Sequence, residues 1–264
     1  MKISQIYIYP VKSLSGIPVQ KSYVTDRGLA YDRRWVLVDD VNVHVTQREH
    51  PEMVHLKQEV LENGIKVRNE RTKDSILIPF LPDSITAEKI QVWEDSFDAT
   101  EVSKELSTWF SDFLKKEVRL MYQPDESKRS IDERYRVQDK DVVSAADGYP
   151  ILIISEGSLN DLNARLTEPV EMLRFRPNIV LEGIAAYSED NLERLSLGEA
   201  EIIGVKNCSR CIMITNKLDG SQRDKEPLKT LANYRRVGGK VLFGRNFLVA
   251  KHGEINGGME ATAL

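Results

Sequence analysis

The two cysteines of this chain lie three positions apart and form its most reactive short segment. They occur in the run Asn207-Cys208-Ser209-Arg210-Cys211, which Lys206 directly precedes. A thiolate is the form of cysteine that binds metals, and neighbouring cations favour that form. Sulfur ligands also suit a soft metal that is already held by other sulfur atoms. One of these cysteines could therefore serve as the single protein ligand of such a metal.

Three other interpretations of the cysteine pair stay open at this point. A structural zinc site needs four ligands, yet the sequence has no second CxxC pair and no HxxxH pair among its four histidines. A redox-active dithiol usually opens a helix after a strand, whereas the run 212–215 that follows the pair is typical of another strand. Two inert, buried cysteines are the simplest alternative on composition alone.

Basic residues recur where predicted strands meet loops. An arginine offers a planar fork that suits a phosphate group, and a lysine offers a point charge. Each segment alone is weak evidence, because arginines at strand ends usually lie in solvent or in ordinary ion pairs. The segments are Lys12-Ser13 after Tyr9-Pro10-Val11, Asp32-Arg33-Arg34-Trp35, and Arg174-Phe175-Arg176-Pro177-Asn178.

Short strands must position most of these residues. Alternating or continuous apolar runs, separated by polar connectors that carry Asn or Gly, predict strands. Such closely spaced strands favour an antiparallel sheet or a barrel. The predicted strands are 3–9, 35–38, 43–46, 54–60, 65–67, 75–78, 178–181, 199–205, 212–215 and 240–249.

Two segments predict helices, and a third predicts a linker. Apolar residues recur at helical spacing through 101–116, which indicates a stripe that faces a core. Segment 155–166 predicts a second helix, with Ser155 as its N-cap. Segment 123–141 is densely charged and has few apolar anchors, so it is the best candidate for a linker or a mobile loop.

Composition limits the classes of protein to which the chain can belong. With 264 residues, 41% of them hydrophobic, and a net charge of −4, we expect a cytoplasmic globular protein that binds neither a nucleic-acid polymer nor a membrane. The N-terminus lacks the continuous apolar stretch of a signal peptide. Two cysteines cannot build a disulfide framework or ligate a four-cysteine iron–sulfur cluster.

Six motifs, taken in order along the chain, resemble those of the MOSC family. They are YPVKS, DRRW, RFRPN, CSRC, EPLKTLANYR and FGRNF, and together they span nearly the whole chain. The chain is most similar to the two-part group of that family, which has an N-terminal β-barrel domain and includes the mitochondrial amidoxime-reducing component and its bacterial relatives. The resemblance implies a mainly β (α+β) fold, with a barrel-like N-terminal domain over 1–120 and a MOSC β-barrel domain with a few helices over 121–264.

The resemblance also implies a molybdenum–pterin cofactor and assigns residues to it. The second cysteine of the CSRC motif ligates molybdenum in the family, and that position is Cys211 here. An aspartate just before the second predicted helix, Asp147, lies beside the metal and is the second catalytic residue implied. The cofactor-binding positions implied are Lys12, Ser13, Arg33, Arg176, Asn178, Ser209 and Arg210.

The function implied is the removal of oxygen from N-hydroxylated small molecules, with electrons from a separate ferredoxin- or cytochrome-type donor and its reductase. The chain departs from its relatives after the CSRC motif, where Ile214 and Lys217 replace an expected Thr and Asp. This departure bears on the range of substrates. A carrier of sulfur or of molybdenum cofactor, without turnover of its own, is the alternative function.

Overall fold

The chain consists mostly of short β-strands, which confirms the mainly β prediction. A computed structural model describes residues 1–82, 86–221 and 223–264. The strands are β1 Lys2–Ile8, β2 Ile17–Val19, β3 Lys21–Thr25, β4 Gly28–Leu29, β5 Trp35–Val38, β6 Leu56–Leu61, β7 Gly64–Asn69, β8 Ser75–Pro79, β9 Ala87–Val92, β10 Asp95–Glu101, β11 Arg119–Tyr122, β12 Arg129–Ser130, β13 Val142–Val143, β14 Ile151–Ser155, β15 Ile179–Glu182, β16 Arg194–Leu197, β17 Ala200–Ser209, β18 Arg236–Val237, β19 Lys240–Lys251, β20 Gly253–Asn256 and β21 Ala261–Ala263.

Helices fill the connections between the strands. The α-helices are α1 Lys104–Leu114, α2 Glu156–Asn163 and α3 Leu228–Tyr234, and the 3₁₀ helices are Pro51–His55, Met172–Phe175, Ser188–Asn191 and Ile212–Thr215. None of the helices in the described part of the chain combines the length and the apolar character needed to cross a membrane.

The largest sheet joins the start of the chain to its second half. Its order is β2-β1-β15-β14-β19-β17-β16-β21, and β18 pairs with β19. Strand β1 runs antiparallel to β15, while β14 runs parallel to β15. The end of β1 and the beginnings of β14 and β15 therefore lie at the same end of these neighbouring strands. The predicted division between residues 120 and 121, which falls within β11, stays a prediction.

A second layer is built from the middle of the chain. Strands β5, β11, β10 and β9 form one sheet, and β6, β7 and β8 form another. Helix α1 covers them through Leu106, Phe110 and Leu114, all of which are buried. Ser103 begins the helix because its side chain accepts a hydrogen bond from the Leu106 backbone N–H. The helical spacing seen in the sequence is thus confirmed.

Helix α2 and its predicted cap are also confirmed. The Ser155 hydroxyl accepts from the Ser158 backbone N–H at 3.0 Å. The helix ends at Asn163, three residues before the predicted end, because the chain turns through Asn163, whose side chain bonds to both backbone groups of Val170.

Two of the predicted strands are wrong, and a third begins two residues later than predicted. The run predicted as a strand after the cysteines forms the 3₁₀ helix Ile212–Thr215, in which Thr215 Oγ1 donates to the Ile212 carbonyl at 2.7 Å. Segment 43–46 makes only isolated bridges, and the predicted strand 54–60 begins at Leu56, because Pro51 opens a 3₁₀ helix in front of it.

The charged segment 123–141 is not a free linker. Arg129 is 3% exposed, and it donates to the Ser144 carbonyl at 3.1 Å and pairs with Asp95 at 2.8 Å. Ile131 is buried beside it. The sequence pattern does not reveal this packing, because the partners of Arg129 lie on other elements of the chain.

Candidate functional site

One large cavity collects every site residue that the sequence predicts. Its volume is about 900 Å³, and its wall includes Lys12, Ser13, Arg33, Asp147, Arg176, Asn178, Ser209, Arg210 and Cys211. The first three come from the N-terminal part of the chain and the other six from the C-terminal part. Sheet topology explains why five of them meet, because the segments that follow β1 and precede β14 and β15 lie at the same end of these strands.

Three of these residues have a backbone conformation that L-amino acids rarely adopt. The φ angles of Ser13, Arg33 and Arg176 are 72°, 50° and 56°, which lie in the left-handed region. A residue with a β-carbon pays about 1–2 kcal/mol to adopt that region. Such strain persists only where the surrounding structure enforces it, and it is concentrated at functional sites.

Two of the cavity's arginines stack on the ring of a buried tyrosine, Tyr9. The guanidinium carbons of Arg33 and Arg176 lie 4.2 and 4.3 Å from the centre of the Tyr9 ring. The Tyr9 hydroxyl donates to the Pro177 carbonyl at 3.0 Å, which fixes the ring. Burial, together with the nearby Arg33 charge, lowers the pKa of Arg176 to about 10, so this arginine remains a cation at neutral pH.

Asn178 holds the strand ends behind these arginines. Its side-chain oxygen accepts from Arg33 Nη1 at 3.2 Å and from the Leu152 backbone N–H at 3.1 Å. Its side-chain nitrogen donates to the Tyr7 carbonyl at 3.3 Å. Although Asn178 lines the cavity, its amide is thus engaged with β1 and β14, and it orients Arg33.

The two cysteines differ in their surroundings. The sulfur of Cys208 accepts from Arg210 Nη1 at 3.0 Å, and Cys208 is half-buried. Cys211 is exposed on the cavity wall, at the position that precedes the 3₁₀ helix Ile212–Thr215. Arg210 Nη2 donates to the Phe175 carbonyl at 2.7 Å, while its buried Nε has no partner among the residues that the structure describes.

Asp147 accepts hydrogen bonds from three side chains. Lys12 Nζ lies 2.6 Å from Oδ1, Arg48 Nη2 lies 2.9 Å from Oδ2, and Trp93 Nε1 lies 3.3 Å from Oδ1. Burial alone would raise the pKa of Asp147, but the Lys12 and Arg48 charges hold this pKa well below its usual range. The carboxylate, which is 57% exposed, therefore stays ionised at neutral pH.

Lys12 titrates much closer to neutrality than an ordinary lysine. Its side chain is 5% exposed, and burial lowers the pKa of Lys12 to about 8, although Asp147 opposes this shift. Arg129 and Arg48 add to the lowering through their charges. Lys12 is consequently mostly protonated at pH 7, yet it can release its proton under mild conditions.

Several residues of the cavity wall are not among the predicted site residues. Arg48 and Trp93 contact Asp147, Arg129 supports the wall from behind, and Lys206 lies 4.2 Å from the centre of the Tyr135 ring. The sequence shows Lys206 only as a neighbour of the cysteines. Arg48 and Trp93 lie in loops without strand or helix periodicity, so no local pattern could have identified them.

The competing explanations of the cysteines fare differently. Over 1–82, 86–221 and 223–264, no three His, Cys, Asp or Glu side chains are grouped so that they could hold a metal, which gives zinc no support. A helix, and not the predicted strand, follows Cys211, as it would in a redox-active dithiol. That helix is, however, a single 3₁₀ turn of four residues.

Family models match most of the chain. The MOSC N-terminal beta barrel domain matches residues 1–117, and the MOSC domain matches residues 140–262.

Curated relatives agree with these matches. The chain is 34% identical to mitochondrial amidoxime-reducing component 1 from Homo sapiens, over 97% of this chain and 81% of that protein. It is 33% identical to a molybdenum cofactor sulfurase from Oryza sativa subsp. japonica, over 92% of this chain but only 32% of the sulfurase. Among solved structures, the YuaD protein from Bacillus subtilis has a TM-score of 0.46 at 12% identity, covering 98% and 93% of the two chains. The family-model matches and the 34% identity to the human relative show that the chain belongs to the MOSC family.

Proposed function

We propose that this protein binds a molybdenum–pterin cofactor through Cys211 and reduces N-hydroxylated small molecules. The observation that carries the proposal is the cavity itself, which combines an exposed cysteine sulfur with cations that have no acidic partner. Within the described ranges, neither Arg176 nor Arg210 forms a salt bridge; their side chains donate to backbone carbonyls and to Cys208 instead.

The chemistry of the cavity fits this cofactor. The pterin carries a phosphate, and buried cations without carboxylate partners are costly unless an anion joins them. Arg176 and Arg210 would hold the phosphate together with Arg33, which also pairs with the buried Asp32 at 2.5 Å. The Ser13 and Ser209 hydroxyls would be further donors on the same wall. Cys211 would bind the metal, because thiolates are ligands of soft metals. Similarity to an amidoxime-reducing component and to a molybdenum cofactor sulfurase supports the same assignment.

When bound, the cofactor would supply two-electron chemistry that removes oxygen from the substrate nitrogen and releases water. Two protons are consumed in each turnover, and the protein must deliver them. Lys12 holds a proton 2.6 Å from Asp147 Oδ1 and has a pKa of about 8. We assign Lys12 as a proton donor and the ionised Asp147 as the acceptor that orients a substrate N–H or O–H group.

Electrons would arrive from a separate redox protein of the ferredoxin or cytochrome type. The two cysteines of the printed sequence cannot ligate an iron–sulfur cluster. Residues 130–134, within the charged segment, form part of the cavity wall. Surface charge chiefly sets encounter rate and partner choice, so we propose this rim as the docking element.

Elemental and pterin analysis tests the proposal. The protein is purified from a host that makes the cofactor, then assayed with a hydroxylamine-type substrate and an artificial reductant. We expect molybdenum and pterin to stay bound through gel filtration, and we expect substrate to be reduced. Retained cofactor without turnover, or cofactor that is readily released, would favour the carrier function instead.

A further inference from the structure

The ammonium group of Lys206 lies against two tyrosine rings in the cavity wall. Its Nζ is 4.2 Å from the centre of the Tyr135 ring and 5.6 Å from the centre of the Tyr149 ring. The two rings meet edge to face, with their centres 5.8 Å apart. The face of an aromatic ring attracts a cation that lies within about 6 Å of its centre. The two tyrosines therefore hold the half-buried Lys206 side chain in a defined position.

An apolar cluster anchors both rings. The cluster against which they pack consists of the buried side chains of Ile131, Val143, Ala146 and Leu248. Lys206 and Tyr149 line the cavity, so this support brings a positive charge to the cavity wall. A side chain that is already ordered loses little further conformational freedom when it binds a ligand. The Lys206 ammonium is thus positioned in advance for an anion inside the cavity.

The acidic groups beside Lys206 are already paired with arginines. Asp132 lies close enough to interact with the Lys206 charge, but its Oδ1 accepts from Arg134 Nε at 3.0 Å and its Oδ2 accepts from Arg134 Nη2. Glu133 pairs with Arg136 at 3.6 Å. In the part of the chain that the structure describes, the Lys206 ammonium forms no ion pair, and its contacts are the two tyrosine rings. Lys206 therefore keeps a positive charge that no carboxylate of the protein contacts.

Lys206 is separate from the cations that we assign to the pterin phosphate. Arg33 and Arg176 stack on Tyr9, whereas Lys206 lies on a different pair of rings. Lys206 also precedes Ser209 by three residues within β17, which corresponds to about 10 Å of extended chain. The cavity thus presents positive charge at two places, and the place at Lys206 is available to the substrate.

We infer that Lys206 determines substrate specificity by binding an anionic group, so that the preferred substrates are N-hydroxylated compounds that carry a carboxylate; this inference rests on the proposed function. A lysine offers a point charge with rotatable N–H donors. One ammonium matches the single charge of a carboxylate, whereas the planar forks of several arginines suit a phosphate. Because Lys206 is half-buried, salt and solvent screen its charge less than that of a surface lysine. Lys206 would lower KM for carboxylated substrates and would take no part in the chemistry at nitrogen.

Equilibrium binding tests the inference without turnover. Oxidised, cofactor-loaded protein, which holds no electrons for the reaction, is titrated calorimetrically with benzamidoxime and with 4-carboxybenzamidoxime. We expect wild type to bind the carboxylated compound about threefold to thirtyfold more tightly, and we expect higher salt to reduce this preference. Lys206→Met should abolish the preference, whereas Lys206→Arg should keep it. Lys89→Met is the matched control, because Lys89 is exposed, pairs with Asp98 and does not line the cavity.

Steady-state kinetics with an artificial reductant give a second readout. In Lys206→Met, the KM of the carboxylated substrate relative to that of the neutral one should rise by the same factor, while the ratio of the two kcat values should stay constant. Tyr135→Leu, which removes one supporting ring, should lose part of the preference, and Tyr135→Phe, which retains the ring, should keep it. A change confined to the ratio of the kcat values would contradict a role in substrate binding.

The outcomes separate the inference from the proposed function. Loaded wild type that binds both amidoximes equally, or a preference that persists in Lys206→Met, would overturn the inference alone. Loss of molybdenum or pterin from folded Lys206→Met would assign the Lys206 charge to the cofactor and would also overturn the inference. Loaded wild type that reduces neither amidoxime would contradict the proposed function, while the binding preference would still decide the role of Lys206.

Discussion

Replacement of Tyr9 should loosen the anion-binding end of the cavity. Tyr9→Leu removes the ring on which Arg33 and Arg176 stack, at 4.2 and 4.3 Å from its centre. A cation–π contact contributes about 0.5–2 kcal/mol, so the two together contribute about 1–4 kcal/mol. Part of this loss will appear in the free energy of unfolding. The remainder will appear as lost preorganisation, which we expect to weaken anion binding by roughly tenfold.

The measurement is a calorimetric titration of cofactor-free protein with inorganic pyrophosphate, beside urea unfolding of the same samples. Tyr9→Phe is the matched control, because it keeps the ring and removes only the hydroxyl that donates to Pro177. We expect Tyr9→Phe to lose about 1 kcal/mol of stability and to bind pyrophosphate as wild type does. If folded Tyr9→Leu protein bound pyrophosphate with wild-type affinity, the ring would have no role in holding the arginines.

Three further predictions concern charge. The free energy of unfolding of wild type, measured relative to Lys12→Met, should rise by about 3 kcal/mol between pH 8 and 10.5. The reason is that the buried Lys12 releases its proton near pH 8, while the unfolded chain keeps this proton up to pH 10.5. A difference that does not change with pH would contradict the lowered pKa of Lys12. Arg176→Met should weaken the free energy of pyrophosphate binding by about 1.5–3 kcal/mol, whereas Arg34→Met should leave it unchanged. Equal losses of affinity in the two variants, measured by calorimetric titration, would refute a localised anion site. Spectrophotometric assays should detect almost no NADH-driven reduction of substrate by the purified protein until a ferredoxin- or cytochrome-type donor and its reductase are added. Higher salt should slow the restored rate. Rapid turnover with NADH alone would rule out the separate donor.

Regular elements with a long periodic pattern were predictable from the sequence. Helix α1 has an apolar stripe and a Ser103 cap, and both signals are local. The four-residue run Ile212–Thr215 was wrongly predicted as a strand, because so short an apolar run fits a strand or a helical turn equally well. Its structure depends on hydrogen bonds back to Cys211 and Ile212, which periodicity does not reveal.

The cavity was predictable where its residues lie in distinctive motifs. Lys12 and Arg176 follow or precede strands within recognisable sequence runs, and the structure brings both to one wall. Arg48 and Trp93 carry no such signal, because their importance arises only when two loops meet at Asp147. The engagement of the Asn178 amide with backbone groups likewise required the three-dimensional arrangement.

The most direct test of the account is the molybdenum content of the two cysteine variants. Cys211 is exposed in the cavity, whereas the Cys208 sulfur already accepts a hydrogen bond from Arg210. Each alanine variant is purified from a cofactor-producing host, checked for its fold by circular dichroism, and analysed for metal beside wild type. We predict that Cys211→Ala loses its molybdenum while Cys208→Ala retains a substantial fraction. Equal molybdenum loss from two folded variants would contradict the assignment of Cys211 as the single protein ligand.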